Sequence, residues 1–169
     1  MTARVTIVGV GGAGCQVIKY MIEDGFGEAK LIAADSDARA LHEVPCTNKL
    51  LIGKQTKPRP FCSLPPEWCR KAAMDDKQLV TKAVEGSDLV CILAGMGGGM
   101  GTGATPAVLG IAKELGILTI AVVTRPFPFE GKRRAANAQR GLEEIEAIAD
   151  LTVLIPYEVF AVCPQRRRR

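Results

Sequence analysis

Two glycine-rich stretches carry the residue types best suited to chemistry, and the chemistry they suit is holding phosphate. The first, 9-GVGGAG-14, satisfies G-x-G-x-x-G between an apolar run and a helical pattern, and Asp35 lies 21 residues beyond Gly14 at the end of the next apolar run. Glycines let the backbone approach a phosphate closely, and the amides that open a helix stabilise its charge. The motif alone does not say which nucleotide. The second stretch, 95-GMGGGMGTG-103, has five glycines among the seven residues from Gly97 to Gly103. A tight turn needs one or two, whereas five in a short run expose a string of unobstructed amides, as a nest for a multiply charged anion requires. Thr102 adds a hydroxyl donor at the expected helix entrance. Two such loops on neighbouring strands can hold a di- or triphosphate from both sides. His42, Cys46, Cys62 and Cys69 match no zinc spacing, so no metal-ligand cluster is expected, and no residue is assigned a catalytic role.

The elements that must position these loops follow from hydrophobic periodicity. Runs apolar on both faces recur at 4–10, 29–35, 49–53, 88–95, 117–124 and 151–156, with helical patterns between them at about 13–24, 66–85, 103–115 and 131–148. Pro66 suits a helix start, and Gly116 and Gly25 or Gly27 suit helix ends. Strand alternating with helix predicts an α/β, Rossmann-like, doubly wound fold: a mainly parallel sheet of about six strands with helices on both faces. Right-handed crossovers then gather the glycine loops at the carboxyl edge of the sheet, where such folds bind ligands. The four-proline segment 54–66 reads as an irregular surface loop. The division expected is one domain over 1–156 followed by an irregular basic tail, 157–169.

Composition narrows the function further. Eight aromatic residues among 169 are too few for an aromatic platform that stacks single-stranded bases. The net charge of +4 is matched by the terminal run Arg166 to Arg169, so the rest of the chain is balanced and specific nucleic-acid binding is not expected. No apolar run is long enough to span a bilayer. Six scattered cysteines without a Cys-x-x-Cys pair, and no signal peptide before the first strand, predict a reducing cytoplasm.

The segment 94-AGMGGGMGTGATPAV-108 closely resembles the GGGTGTG signature of the tubulin/FtsZ family, with Met100 where the first threonine usually stands. Residues 7–25, 32–41 and 121–145 are also similar to the nucleotide-binding domain of that family, in the same order, so the resemblance covers most of 4–156. It implies a GTP- or GDP-binding cytoskeletal domain of the cell-division type, with Mg2+ carried through the phosphates as an option. Carried over residue by residue, it implies phosphate and base contacts from Gly11, Gly12 and Gln16, and positioning of the nucleotide by Asp35. It places Gly97, Gly98, Gly99, Gly101, Thr102 and Gly103 around the phosphates. It also gives Glu130 the ribose and sets Arg134 near the nucleotide. A carboxylate can accept both ribose hydroxyls, and a guanidinium can oppose phosphate or order the loop.

Three departures bear on activity. The loop that senses the terminal phosphate in relatives aligns with 59-RPFCSLP-65, which has no glycine, so it cannot wrap a phosphate through backbone amides in the same way. The asparagine that reads guanine is absent after Ile155-Pro156; Tyr157 stands there and can stack on a purine with little discrimination. In the family the catalytic acidic loop comes from a second domain of the next subunit, and residues 157–169 do not resemble what should follow. The expectation is therefore a chain deficient in GTP hydrolysis by itself, read either as a truncated or frameshifted product or as a short functional paralogue. Self-association or a full-length FtsZ-like partner follows as the implied interaction. Two alternatives stand beside it. Residues 6–37 are also similar to ThiF/MoeB-type ATP-dependent adenylating enzymes, although those lack a GGGMGTG counterpart. The other is a non-nucleotide regulatory or capping partner of a full-length relative.

Overall fold

The computed structural model describes residues 2–54 and 64–156. The aliphatic runs form six strands, β1 (Val5–Val10), β2 (Lys30–Asp35), β3 (Asn48–Leu51), β4 (Leu89–Gly95), β5 (Leu118–Thr124) and β6 (Leu151–Ile155). They make one sheet in the order β3-β2-β1-β4-β5-β6, and every neighbouring pair is parallel. The helices are α1 (Gly11–Glu23), α2 (Ala38–Glu43), α3 (Pro66–Asp75), α4 (Lys77–Val84), α5 (Gly99–Glu114) and α6 (Lys132–Ile148). Alternation along a strand sends successive side chains to opposite faces. Ile7 accordingly packs in a small core with Cys15 and Ile18 of α1 and Leu41 of α2, while Val8 and Val10 join the larger core under α3, α4, α5 and α6. Helices thus cover both faces, as the alternating pattern predicts. Connectivity reverses between β1 and β4, the place where a doubly wound sheet opens a crevice at the carboxyl ends of its strands.

Four details differ from the periodicity reading. Helices α1 and α5 begin at Gly11 and Gly99, so much of each glycine stretch is the first turn of a helix and not a loop before it. The single helix expected over 66–85 breaks at Asp76, whose carboxylate accepts the Gly53 N–H at 2.6 Å and ties α4 to the exit of β3. The short α2 escapes a periodicity search, although its cap is visible: the Asp37 carboxylate accepts the N–H groups of Arg39 and Ala40. Of the irregular segment 54–66, residues 55–63 lie outside the described residues, and so does the tail 157–169 with Tyr157. Pro66 and Gly116 stand where expected, Pro66 opening α3 and Gly116 following α5 with φ +72°.

Helix α5 is the centre of the molecule, with twelve of its sixteen residues buried between the sheet and α3 and α6. A helix buried nearly all round should carry no unsatisfied polar group. The Thr105 hydroxyl violates this: the residue is 0% exposed and its Oγ1 has no hydrogen-bond partner among the described residues. Thr105→Val removes the desolvated hydroxyl and keeps the β-branched shape, so it should stabilise the chain by about 1 kcal/mol and raise Tm by roughly 2–4 °C in thermal melts. A lower Tm would mean that the hydroxyl has a partner.

At the far edge, Asp150 docks β6 onto β5. Its carboxylate pairs with Lys113 and accepts the N–H and hydroxyl of Thr119, each at 2.8 Å. The Lys113 hydrogen bond, followed by those from Thr119, lowers its pKa from 3.8 to about 2. A depressed carboxylate contributes stability above its unfolded pKa and loses it as pH falls through the folded one. The Tm gap between the unsubstituted chain and Asp150→Asn should be full above about pH 4 and close between pH 4 and 2. A gap that persists at pH 2 would assign the effect to something other than this carboxylate.

Candidate functional site

Along the carboxyl edge of β3, β2, β1, β4 and β5 runs an open cleft of about 1160 Å³. Its floor is the pair of glycine helix starts. A Cβ placed on Gly11 would lie 3.1 Å from the Gly101 nitrogen, so the N-termini of α1 and α5 touch. Both helices are long enough to carry a substantial dipole, and both leave their first-turn N–H groups pointing past the helix end. Neither has a side-chain cap: the N-cap positions are Val10 and Gly98, and no acidic residue occupies either first turn. Soluble helices ordinarily satisfy these donors with Ser, Thr, Asp or Asn. Two adjacent uncapped N-termini facing one cleft make a site for an anion with more than one charged group.

The glycines of this floor serve two distinct purposes. At Gly99, Gly101 and Gly103 an added Cβ would sit 2.1 Å from the Leu64 carbonyl oxygen, 2.1 Å from that of Gly95 and 1.9 Å from that of Pro66. Gly14 has the same character, with the Leu93 carbonyl oxygen at 2.2 Å. These positions are glycine because backbone meets backbone there. At Gly12 and Gly98 nothing lies within 4 Å of the would-be Cβ, and both residues line the cleft. These two face the space that a ligand would occupy.

The other sequence-predicted residues divide in the same way. Gly11, Asp35, Gly99, Gly101, Glu130 and Arg134 line the cleft with Gly12 and Gly98, whereas Gln16, Gly97, Thr102 and Gly103 do not. Gln16 is exposed on α1, and Val17 beside it reaches the cleft instead. Thr102 is 3% exposed, and its Oγ1 accepts the Gly97 N–H at 2.8 Å. The hydroxyl therefore holds the turn ahead of α5 from behind, in place of the donor at the helix entrance that the sequence suggests. Gly97 itself sits at φ +104° and lets the turn pass close to the start of α6, with the Arg134 carbonyl oxygen 3.0 Å from its would-be Cβ.

At the β5 end, Glu130 accepts the Phe127 N–H at 2.7 Å through Oε1 and pairs with Arg134 at 2.6 Å through Oε2. A carboxylate has about four acceptor directions, so two remain open to hydroxyl donors. Asp35, 7% exposed, accepts the N–H groups of Ser36 and Asp37 at 2.6 and 3.1 Å. Burial raises its pKa and these hydrogen bonds oppose the rise. Cys15, also near the cleft floor, is 2% exposed; burial followed by the charge of Asp35 pushes its thiol up to about 12, so it is inert packing. Arg39, Lys54 and Arg125 also line the cleft and were missed from sequence, because isolated basic residues after strand ends look like any solvated charge.

Doubly wound topology with two converging glycine-rich helix starts at the switch point defines a phosphate-binding domain of the nucleotide type. Residues 4–162 match the family model described as the tubulin/FtsZ family, GTPase domain. The chain is 42% identical over 154 residues to the cell division protein FtsZ of Buchnera aphidicola, covering 91% of this chain and 40% of that one. It is 44% identical over 154 residues to the cell division protein FtsZ 1 of Thermococcus kodakarensis, covering 91% and 41%. Among solved structures, an FtsZ dimer from M. jannaschii superposes with a TM-score of 0.90 at 38% identity, over 98% of this chain and 50% of that one. The chain therefore belongs to the tubulin/FtsZ family as its GTPase domain, and it spans about two fifths of the length of these curated relatives. CetZ1 from Haloferax volcanii, solved as a GDP-bound monomer, shares the fold with a TM-score of 0.82 at 21% identity. The match runs through both glycine stretches, where the adenylating-enzyme alternative accounts for the N-terminal half only. Among the described residues no helix is long and apolar enough to cross a membrane.

Proposed function

We propose that this chain binds a guanine nucleotide across the cleft and serves as the nucleotide module of a cell-division type filament protein. The carrying observation is the pair of touching, uncapped helix N-termini of α1 and α5, which offers two sets of amides to a di- or triphosphate. Glu130 and Arg134 lie on the β5 side and suit the ribose and the adjoining phosphate, in keeping with the family. Mg2+, where it accompanies the nucleotide, would bridge phosphate oxygens; Asp35 and Asp37 line the same cleft and are the hard oxygen donors suited to it, directly or through water. Hydrolysis by this chain alone should be slow. In-line attack needs a polar group that orients water at the terminal phosphate. The three carboxylates that line the cleft are engaged: Asp35 and Asp37 on backbone N–H groups, Glu130 on Phe127 and Arg134. A partner, either a second copy or a longer relative, would have to supply that group. The M. jannaschii FtsZ dimer and the exposure of Phe129, 85% at the rim and stacked on Phe127 at 5.1 Å, support such an apposed surface.

Titration calorimetry with GTP, GDP and ATP tests the reading. GTP and GDP should bind one site per chain, with ATP weaker. Failure of all three to bind would overturn the nucleotide module and favour an interaction domain that has kept only the fold.

A further inference from the structure

The cleft holds more positive charge than its helix starts account for. Arg39 at the start of α2 and Lys54 just beyond β3 line its β2–β3 end, and both are exposed. Among the described residues neither the Arg39 guanidinium nor the Lys54 ammonium has a hydrogen bond or ion pair. The carboxylates that could neutralise them are directed elsewhere. Asp35 accepts the N–H groups of Ser36 and Asp37, and Asp37 caps α2. Exposed cations on a surface ordinarily have no ligand, but these two lie at a particular end of a built cleft.

Strand order gives that end its meaning. The sheet runs β3-β2-β1-β4-β5-β6, so Glu130 and Arg134 follow the end of β5, the paired helix N-termini lie beyond β1 and β4, and Arg39 and Lys54 stand beyond β2 and β3. Adjacent strands are about 4.8 Å apart, which puts β2 roughly 10 Å from β4 and within reach of a long basic side chain. A nucleoside triphosphate is linear, with sugar at one end and terminal phosphate at the other. With its ribose at Glu130 and its inner phosphates on the amides of α1 and α5, the last phosphate is directed toward β2 and β3. We propose that Arg39 and Lys54 form a terminal-phosphate subsite that makes this chain favour the triphosphate over the diphosphate. This rests on the nucleotide reading above and adds the residues that tell the two ligands apart. Side-chain cations would here do what a backbone loop does elsewhere, and a bidentate guanidinium with a point-charge ammonium suits the three oxygens of a terminal phosphate.

The test is equilibrium binding of GTP and GDP to the unsubstituted chain, to Arg39→Gln, to Lys54→Gln and to the double variant, with circular dichroism confirming the fold. Each substitution should weaken GTP by about tenfold and leave GDP within about threefold, so that the preference disappears in the double variant. Lys54→Arg should keep it, and raising the salt concentration should erode it in the unsubstituted chain only. Equal weakening of both nucleotides, or no change in either, would overturn the subsite while leaving the nucleotide module standing. Failure of the unsubstituted chain to bind either nucleotide would remove the module and the subsite together.

Discussion

Gly101→Ala, and more so its combination with Gly103→Ala, should abolish the folded state and not merely ligand binding. The reason lies in how α5 enters the molecule. It has to descend between the end of β4 and the start of α3, so its first turn crosses two backbone segments at contact distance. A Cβ on Gly101 would lie 2.1 Å from the Gly95 carbonyl oxygen and 3.1 Å from its carbon, and one on Gly103 would lie 1.9 Å from the Pro66 carbonyl oxygen. Neither obstacle is the tip of a mobile side chain. Gly95 is the last residue of β4, paired with Thr124 of β5, and Pro66 opens α3. Relief therefore requires moving α5 bodily, and α5 carries much of the large core, including Leu109 and Ile111, both essentially fully buried. Overpacking of a mobile core costs about 1–3 kcal/mol, and a backbone clash at a packed helix should exceed that, against total stabilities of about 5–15 kcal/mol. Urea titration should show a midpoint shift corresponding to at least about 3 kcal/mol for Gly101→Ala, with the double variant recovered mainly as insoluble or unfolded protein. A soluble double variant with an unchanged melting curve would show that the close approach of α5 to β4 and α3 is not needed.

Those glycines also mark the limit of what the chain's order of residues reveals. The alternation of strand and helix, the parallel sheet and its switch point were all legible, because a strand buried on both faces must be continuously apolar and a right-handed crossover leaves little freedom of order. The fingerprint at Gly9 to Gly14 and the signature at Gly97 to Gly103 correctly located the cleft. What could not be read was the division of labour inside a glycine run. Gly98 and Gly99 are chemically identical neighbours, yet one faces open space and the other a carbonyl oxygen at 2.1 Å. Only tertiary contact separates them. Thr102 illustrates the same point. A hydroxyl at a helix entrance suggests a ligand donor, but the close packing of Gly141 against the Thr102 methyl turns the residue inward, and its oxygen holds the Gly97 amide. The break at Asp76 was missed because its cause is 23 residues away, at Gly53. Arg39 and Lys54 were missed because their significance depends on strand order, which puts β2 and β3 at the opposite end of the cleft from Glu130.

Gly98→Val and Gly12→Val should give the complementary result, a folded protein that has lost its nucleotide. At neither position does an added Cβ meet any atom within 4 Å, and Gly98 has φ −84°, an extended conformation that any residue adopts. The expected change in stability is within about 1 kcal/mol, and at Gly12, inside the first turn of α1, a side chain is compatible with the helix. The space that the new methyl groups enter is nevertheless the mouth of the paired N-termini, where phosphate oxygens must come within about 3 Å of the amides. Two or three charge-assisted hydrogen bonds, each contributing about 1.5–3 kcal/mol, would be lengthened or broken, so affinity for GTP and GDP alike should fall by at least about a hundredfold. Calorimetric titration with both nucleotides, beside urea unfolding of the same samples, separates the two kinds of glycine. If Gly98→Val unfolds the chain, the open side of the first turn is not open; if it folds and still binds nucleotide at full strength, the phosphates do not lie on α5. Because the cation variants Arg39→Gln and Lys54→Gln should weaken GTP selectively, while Gly98→Val should weaken both nucleotides together, the ratio of the two losses locates each residue along the phosphate chain.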